Sequence, residues 1–262
     1  TTQSQDDSPS DIDKELVFKF SRINLPQHVQ DRLEEEAYML SHVDHDHVPQ
    51  LIEFQRIKKQ AILVMQRAKG EDLEQVSLQQ GPLSARLIVK IAAQLADILL
   101  CLREFEHQGQ KKPIVHGDVK PSNIVYDSAE ERIGLIDWGS SVFAQLDEKG
   151  QFVGNNVMDL MSSDMQQTNA RLGDVYFIGE EQLNGGLSSP RFDEQGLAGT
   201  LYALASGQSS RFGYKVIHPN SLGLPKALAE TLSAMMSDDP SERNKGGDYF
   251  INNMRYMKNL AL

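Results

Sequence analysis

One long amphipathic segment constrains the fold of this chain more than any other part of its sequence. Ser84 is a suitable N-cap, and the apolar residues after it recur at spacings of three and four on one wide face: Leu87, Ile88, Ile91, Leu95, Ile98, Leu99 and Leu102. A helix of this length is stable only when its apolar face packs against other elements, so the rest of the chain must build a core around it.

Short apolar segments precede this helix, and further helical segments follow it. The predicted elements are strands at 16–20, 48–54 and 60–66 and helices at 27–42, 192–206 and 225–237. Strands that come first and helices that follow predict an α+β fold with two unequal lobes. Residues 1–13 are polar and acidic and contain almost no apolar side chain, so they predict a disordered acidic tail.

The composition excludes several classes of function. The 262 residues include 26 basic and 37 acidic side chains, a formal net charge of −11, which argues against a nucleic acid or a membrane surface as partner. The single cysteine, Cys101, excludes a disulfide framework and a thiolate-rich zinc site. Because no apolar run reaches the ~18 residues of a membrane span, we expect a soluble, cytoplasmic protein.

Four polar residues near the middle of the chain suggest phosphate chemistry. Asp118, Lys120 and Asn123 fall within six residues between two short apolar segments, and Asp137 follows the next apolar segment. Magnesium takes oxygen ligands, usually with only one or two carboxylates, so Asn123 and Asp137 are candidate metal ligands. Lys120 could then balance the charge of a phosphoryl group, while Asp118 orients the attacking hydroxyl. Taken alone, the same residues could also be ordinary turn residues.

The sequence HGDVKPSN at 116–123, followed by DWG at 137–139, resembles the eukaryotic-like serine/threonine protein kinases. These segments stand where that family has H-R-D-L-K-x-x-N and D-F-G. A lysine two residues after the first aspartate is typical of the Ser/Thr branch. The resemblance implies ATP and Mg²⁺ as cofactors and transfer of the γ-phosphoryl group to a Ser or Thr hydroxyl of a protein.

The resemblance extends to the segments that hold the nucleotide in this family. Lys19 in VFKF matches the lysine of V-A-I-K, and Glu36 matches the αC glutamate that pairs with it. ILVMQRAKGEDL at 62–73 looks like the last strand of the N-lobe and the hinge. It implies that Met65 is the gatekeeper and that Gln66 and Ala68 offer backbone groups to adenine. It also implies that Asp72 lies near the ribose.

Further segments match the family in order along the second half of the chain. GEEQL at 179–183 looks like the A-P-E-Q-L end of the activation segment. Asp193 matches the αF aspartate that anchors the catalytic loop, and Arg243 matches the arginine whose expected partner is Glu181. The resemblance therefore implies a two-lobed kinase-like fold, with a reduced antiparallel-sheet N-lobe at 14–68 and a mainly helical C-lobe at 69–262.

Three features depart from the family pattern. The 18 residues before Lys19 contain no glycine, so the Gly-rich loop that covers the phosphates has no counterpart there. Gly117 replaces the arginine of H-R-D, which argues against control through a phosphate in the activation loop. Trp138 replaces the phenylalanine of D-F-G, and its indole N–H needs a hydrogen-bond acceptor.

These departures leave alternatives open. The missing Gly-rich loop is compatible with a pseudokinase, a regulatory module that binds nucleotide, and the shared fold is compatible with a small-molecule kinase of the aminoglycoside-phosphotransferase type. His42, His45 and His47 suggest a zinc site, but the sequence offers no obvious fourth ligand. If the protein kinase interpretation holds, the net charge of −11 favours a protein substrate that is basic around its acceptor hydroxyl.

Overall fold

A computed structural model describes residues 15–24, 26–153, 173–208 and 217–257, and within them a small sheet precedes a helical region. The first part contains β1 (Leu16–Phe20), α1 (Gln27–Leu40), β2 (Leu51–Ile57) and β3 (Gln60–Gln66). Both pairings in this sheet are antiparallel, and β3 lies between β1 and β2. The α+β class predicted from the sequence is therefore confirmed.

The two faces of this sheet differ in their surroundings. On β3, Ala61, Leu63 and Met65 are buried on the face that α1 covers. Lys19 of β1 pairs in register with Leu63, so its side chain lies on the covered face. Phe18 alternates to the opposite face, where it is 55% exposed. The register therefore directs the one charged residue of β1 inward, toward α1.

The helical region is built around α3. Its elements are β4 (Glu71–Asp72), α2 (Leu73–Gln80), α3 (Ala85–Arg103), α4 (Glu180–Leu183), α5 (Pro190–Ser206), α6 (Lys226–Met235) and α7 (Pro240–Met257). Ser84 caps α3, since its Oγ accepts the N–H of Leu87 at 3.3 Å. The apolar face of α3 packs mainly against α5 and α7, and its leucines and isoleucines there are fully buried.

Short strands between α3 and α4 hold the loops that carry the polar motifs. They are β5 (Glu106–His107), β6 (Gln110–Lys111), β7 (Ile114–Val115), β8 (Ile124–Asp127), β9 (Arg132–Leu135) and β10 (Val142–Phe143). β8 pairs with both β4 and β9, and β7 pairs with β10. The segment 116–123 thus leaves one small sheet and enters another, and the segment 136–141 returns to the first.

The elements differ from the sequence prediction at their ends and in number. α1 ends at Leu40 rather than at residue 42, and the strand predicted at 48–54 runs from Leu51 to Ile57. Neither α2 nor α7 was predicted. α7 contains Gly246 and Gly247 within a polar sequence, so its local preference for helix is weak and its buried face supplies the stability.

Candidate active site

The segment 116–123 is tied to α5 through its backbone. Asp193, buried near the start of α5, accepts the N–H of His116 at 2.7 Å and the N–H of Gly117 at 2.8 Å. Burial raises the pKa of Asp193 to about 7, although these two N–H donors favour its carboxylate form. Gly117 has a φ of +82°, and a Cβ atom there would lie 2.8 Å from the carbonyl oxygen of Ser140. This backbone explains why glycine occupies the position of the family's arginine.

His116 has a structural place beneath the loop. It is fully buried, its Nδ1 accepts the N–H of Asp118, and its Nε2 lies 3.1 Å from the carbonyl oxygen of Ile136. These contacts assign the proton to Nε2, and burial lowers the pKa of the ring below its usual value. Its ring meets Trp138 edge to face at 4.8 Å, and the indole N–H of Trp138 donates to Leu135.

The two carboxylate oxygens of Asp118 are held by separate sets of donors. The Nδ2 of Asn123 donates to Oδ2 of Asp118 at 2.9 Å, and Nζ of Lys120 lies 3.0 Å from the same oxygen. The backbone N–H of Asp174 donates to Oδ1 at 3.0 Å. The structure therefore brings Asp118, Lys120 and Asn123 together as the sequence predicted, with the carboxylate of Asp118 in a defined orientation.

Asp137, Lys19 and Glu36 form a second group. Nζ of Lys19 lies 2.6 Å from Oε1 of Glu36 and 3.3 Å from Oδ1 of Asp137. Burial acts to lower the pKa of Lys19, but the charges of the two carboxylates outweigh it and raise that pKa above its usual value. Burial acts to raise the pKa of Asp137, and Lys19 more than offsets it, so this carboxyl stays ionised at neutral pH.

The two groups are adjacent and could hold a magnesium ion. The N–H of Ile136, next to Asp137, donates to the carbonyl oxygen of Asn123 at 2.9 Å. The side-chain nitrogen of Asn123 donates to Asp118, which leaves its amide oxygen as an acceptor. An amide oxygen and one carboxylate match the oxygen ligands that Mg²⁺ uses together with water and phosphate. The donor set of Asn123 and Asp137 therefore fits this ion.

The residues expected around adenine and ribose lie at the end of β3 and just after it. Met65 is buried on the covered face of the sheet. The N–H of Gln66 donates to the carbonyl oxygen of Gln50, so this N–H is not available as a hinge contact. Ala68 is half-buried in the following segment. Asp72 caps α2 by accepting the N–H of Gln75 at 2.9 Å, a structural role that the sequence reasoning did not include.

The segment 173–183 closes over the segment 116–123. Nη2 of Arg243 lies 2.5 Å from Oε1 of Glu181, the pair expected from the resemblance. The side-chain amide of Gln182 donates to the carbonyl oxygen of Gly117 at 2.7 Å. Gly173 lies so close that a Cβ atom would be 2.8 Å from Oδ1 of Asp118. These contacts hold segment 173–182 against the carboxylate of Asp118.

Asp174 is the site residue that sequence reasoning missed. Besides the hydrogen bond from its backbone to Asp118, its Oδ2 lies 3.9 Å from Nζ of Lys120. Its Oδ1 accepts the N–H of Tyr176 at 3.0 Å and so caps the following turn. An aspartate after a glycine is not a recognisable motif. Its place in the site depends on a contact with Asp118 that spans 56 residues of sequence, which no local pattern indicates.

The three neighbouring histidines have separate partners. Nδ1 of His42 lies 2.7 Å from the carbonyl oxygen of Tyr38, and Nδ1 of His47 lies 2.9 Å from that of Ile133. His45 accepts the N–H of His47 at its Nδ1. In the described part of the chain, no three His, Cys, Asp or Glu side chains are grouped as a metal site would require.

Among the helices that the structure describes, none is both long and apolar enough to cross a bilayer.

Comparison with known proteins supports the resemblance drawn from the motifs. The sequence profile of the protein kinase domain matches residues 10–244. Serine/threonine-protein kinase PrkC of Bacillus subtilis is 26% identical over 225 residues, which cover 85% of this chain and 31% of the relative. PknE of Mycobacterium tuberculosis is 25% identical over 225 residues, or 81% of this chain and 36% of that protein.

A third relative belongs to the same class. Serine/threonine-protein kinase A of Synechocystis is 26% identical over 198 residues, which cover 70% of this chain and 35% of the relative. This chain therefore spans about a third of the length of these curated relatives. The profile match covers far more than half of the chain and includes both groups of site residues. On this ground, and with the predicted resemblance confirmed, the chain belongs to the protein kinase family.

Proposed function

We propose that this protein is a serine/threonine protein kinase that transfers the γ-phosphoryl group of ATP, in the presence of Mg²⁺, to a hydroxyl of a protein substrate. The observation that carries the proposal is the junction of two groups: Lys19 with Glu36 and Asp137, and Asp118 with Asn123. In this arrangement Lys19 could contact phosphates, and the oxygens of Asn123 and Asp137 could bind Mg²⁺, beside the oriented carboxylate of Asp118. The names of the relatives support the Ser/Thr branch.

Asp118 is the catalytic residue proposed to orient the acceptor hydroxyl and take its proton. Its Oδ1 and Oδ2 are already held by the Asp174 N–H and by Asn123 and Lys120, so little reorientation is needed when a substrate arrives. The ammonium of Lys120 supplies positive charge next to the acceptor position. Pre-organised charges of this kind stabilise the transition state without reorganising during the reaction.

The nucleotide would lie between the small sheet and the helical region. Lys19, fixed by Glu36, would contact the α- and β-phosphates, and Asn123 with Asp137 would hold Mg²⁺, which neutralises phosphate charge when bound. Adenine and ribose would contact the segment after β3, and the residues proposed there are Met65, Gln66, Ala68 and Asp72.

The proposed division of the chain follows these roles. We assign 14–68 to a reduced N-lobe and 69–262 to the C-lobe, with the nucleotide at their junction. Because the reaction consumes ATP, we place the protein in the cytoplasm. Its partner would be a protein with a Ser or Thr acceptor, rather than a nucleic acid or a membrane, as the acidic composition favours.

Replacement of Asp137 by Ala tests the proposal. Loss of this carboxylate should reduce phosphoryl transfer by about 100-fold or more, the usual scale for one pre-organised electrostatic group. Asp97→Ala is the matched control, since the side chain of Asp97 on α3 is exposed to the same 52% as that of Asp137. Transfer of radiolabelled phosphate to itself and to a generic protein substrate is the measurement, with circular dichroism to verify folding. Full activity of a folded Asp137→Ala protein would contradict the assignment.

The same assay separates the alternatives. A pseudokinase would show a rise in melting temperature with ATP and Mg²⁺ but no transfer by the wild-type protein. A small-molecule kinase would phosphorylate hydroxyl compounds such as sugars or aminoglycosides in preference to proteins. Transfer to protein serine or threonine, lost in Asp137→Ala, is the result expected here.

A further inference from the structure

Asp174 adds a negative charge beside the proposed acceptor position. The ammonium of Lys120 lies 3.0 Å from Oδ2 of Asp118 but 3.9 Å from Oδ2 of Asp174. Lys120 therefore balances mainly the charge of Asp118, and the three side chains together carry a net charge of −1. The side chain of Asp174 is 32% exposed, compared with 13% for Asp118, so its carboxylate can be reached by a substrate.

Within the described residues 173–190, no lysine or arginine compensates this charge. From residue 173 to residue 190 the sequence has three acidic side chains and no lysine or arginine. One of the three, Glu181, is paired with Arg243. The segment also exposes Val175 and Tyr176, which are 48% and 53% accessible. A peptide bound here would meet an apolar surface and an unbalanced carboxylate.

The carboxylate of Asp174 is held in place without being neutralised. Its Oδ1 accepts the N–H of Tyr176 at 3.0 Å, and its own N–H donates to Asp118. A backbone N–H orients a carboxylate but does not remove its charge. The geometry of the turn therefore keeps a negative charge at a constant distance from the oriented Asp118.

We propose that Asp174 is a specificity-determining residue that selects acceptor hydroxyls flanked by lysine or arginine. This inference rests on the proposed function for the location of the acceptor. Asp118, Lys120 and Asp174 together carry one uncompensated negative charge, and a cationic side chain next to the acceptor hydroxyl would balance it. Asp174 also holds Asp118 through its backbone, a positioning role that side-chain substitution leaves in place.

Binding of two labelled peptides tests the inference without requiring turnover. Both contain one serine and have equal length; one carries lysines on either side of the serine, and the other carries glutamines. Fluorescence anisotropy measures each Kd for the wild-type protein and for Asp174→Asn. The asparagine can still cap the turn, because its amide oxygen can accept the Tyr176 N–H, but it removes the charge.

We expect Asp174→Asn to weaken binding of the lysine peptide about threefold to fivefold, the range of one partly exposed ion pair, and to leave the glutamine peptide unchanged. Asp174→Glu should restore the preference. In transfer assays of Asp174→Asn, the advantage in kcat/KM of the lysine peptide over the glutamine peptide should fall by the same factor. The preference should also decrease at high salt.

Glu180→Gln is the matched control, since Glu180 is exposed in the same segment and forms no ion pair with any residue that the structure describes. An equal loss for both peptides in Asp174→Asn would overturn the inference, and so would an equal effect of Glu180→Gln. A wild-type protein that prefers the lysine peptide but transfers no phosphate would contradict the proposed function alone. One that transfers phosphate without preference would contradict this inference alone.

Discussion

At the scale of single residues, His116 links the stability of the catalytic loop to pH. The ring is fully buried and uses Nδ1 as an acceptor for Asp118, so protonation would cost both desolvation and a hydrogen bond. Burial therefore lowers the pKa of His116 in the folded state. In the unfolded chain the ring has its usual pKa near 6.5 and takes up a proton as the pH falls below that value.

The sign of the resulting pH dependence follows from this difference. Below about pH 6.5 the unfolded state binds more protons at His116 than the folded state does. The free energy of unfolding therefore decreases as the pH is lowered. We expect His116→Leu to be less stable at pH 8, because it loses the contacts with Asp118 and Ile136. Its stability should nevertheless decline less steeply than that of the wild type between pH 6.5 and pH 5. Urea denaturation across this range measures both slopes, and parallel slopes would show that His116 does not titrate in the way described.

At the scale of elements, an ionic network that is buried at Arg103 and Glu194 joins α3, α5 and α7. Glu194 of α5 accepts hydrogen bonds from Arg103 of α3 and, at 2.7 Å, from Arg191. Asp248 of α7 lies 3.1 Å from Arg103 and 3.0 Å from Arg191. Asp193, the neighbour of Glu194, holds the catalytic loop. The network therefore fixes the helix that supports the site, and its charges balance.

The network has no room for a side chain at Gly247 of α7. A Cβ atom there would lie 2.0 Å from Oε2 of Glu194, an oxygen that Arg191 holds in place. Gly→Ala inside a helix normally stabilises it by about 1 kcal/mol. For Gly247→Ala we expect the opposite sign, a loss of about 1–3 kcal/mol of unfolding free energy, which is typical of overpacking.

Gly199 of α5 provides the matched control. A Cβ atom there would lie 3.6 Å from Phe177, an ordinary contact distance, so Gly199→Ala should be neutral or stabilising. Thermal and urea unfolding of the two variants measure the difference. Equal stability of Gly247→Ala and Gly199→Ala would mean that the carboxylate of Glu194 moves readily. We expect it not to move, because two arginines hold it in a buried position.

At the scale of the whole molecule, local patterns predicted most of the elements and brought forward most residues of the candidate site. The regular apolar spacing of α3 and the continuous apolar run of β3 are carried by neighbouring residues, and HGDVKPSN is a contiguous motif. α7 could not be predicted in this way. Its buried Phe250, Ile251 and Met254 form a narrow stripe in a polar segment, and only contact with α3 and α6 makes that segment a stable helix.

The unpredicted parts of the site have the same origin. Asp174 becomes part of it through a contact that spans 56 residues, and the network of Glu194 joins three helices that are far apart in sequence. Gly117 departs from the family motif, and only its positive φ and the nearby carbonyl of Ser140 explain the residue. Such features depend on tertiary packing, about which a single local window of sequence carries no information.

The small sheet exposes an apolar face that should limit the solubility of the molecule. In the described part of the chain, β1 pairs only with β3, and no other described strand lies along its outer edge. Phe18 and Phe20 on β1 are each 55% exposed. An exposed apolar edge strand can pair with another chain, so we expect reversible self-association at high protein concentration.

Substitution of both phenylalanines tests this expectation. Phe18→Thr with Phe20→Thr keeps residues that favour β-strands, so it should reduce association, as measured by light scattering, without lowering the melting temperature appreciably. Phe54→Thr is the control, because Phe54 of β2 packs against the core and its loss should destabilise the fold by a few kcal/mol (about 2–4). If the double variant were destabilised as strongly as Phe54→Thr, the outer face of the sheet would have to be packed rather than exposed. Unchanged light scattering would show that association, where it occurs, uses a different surface.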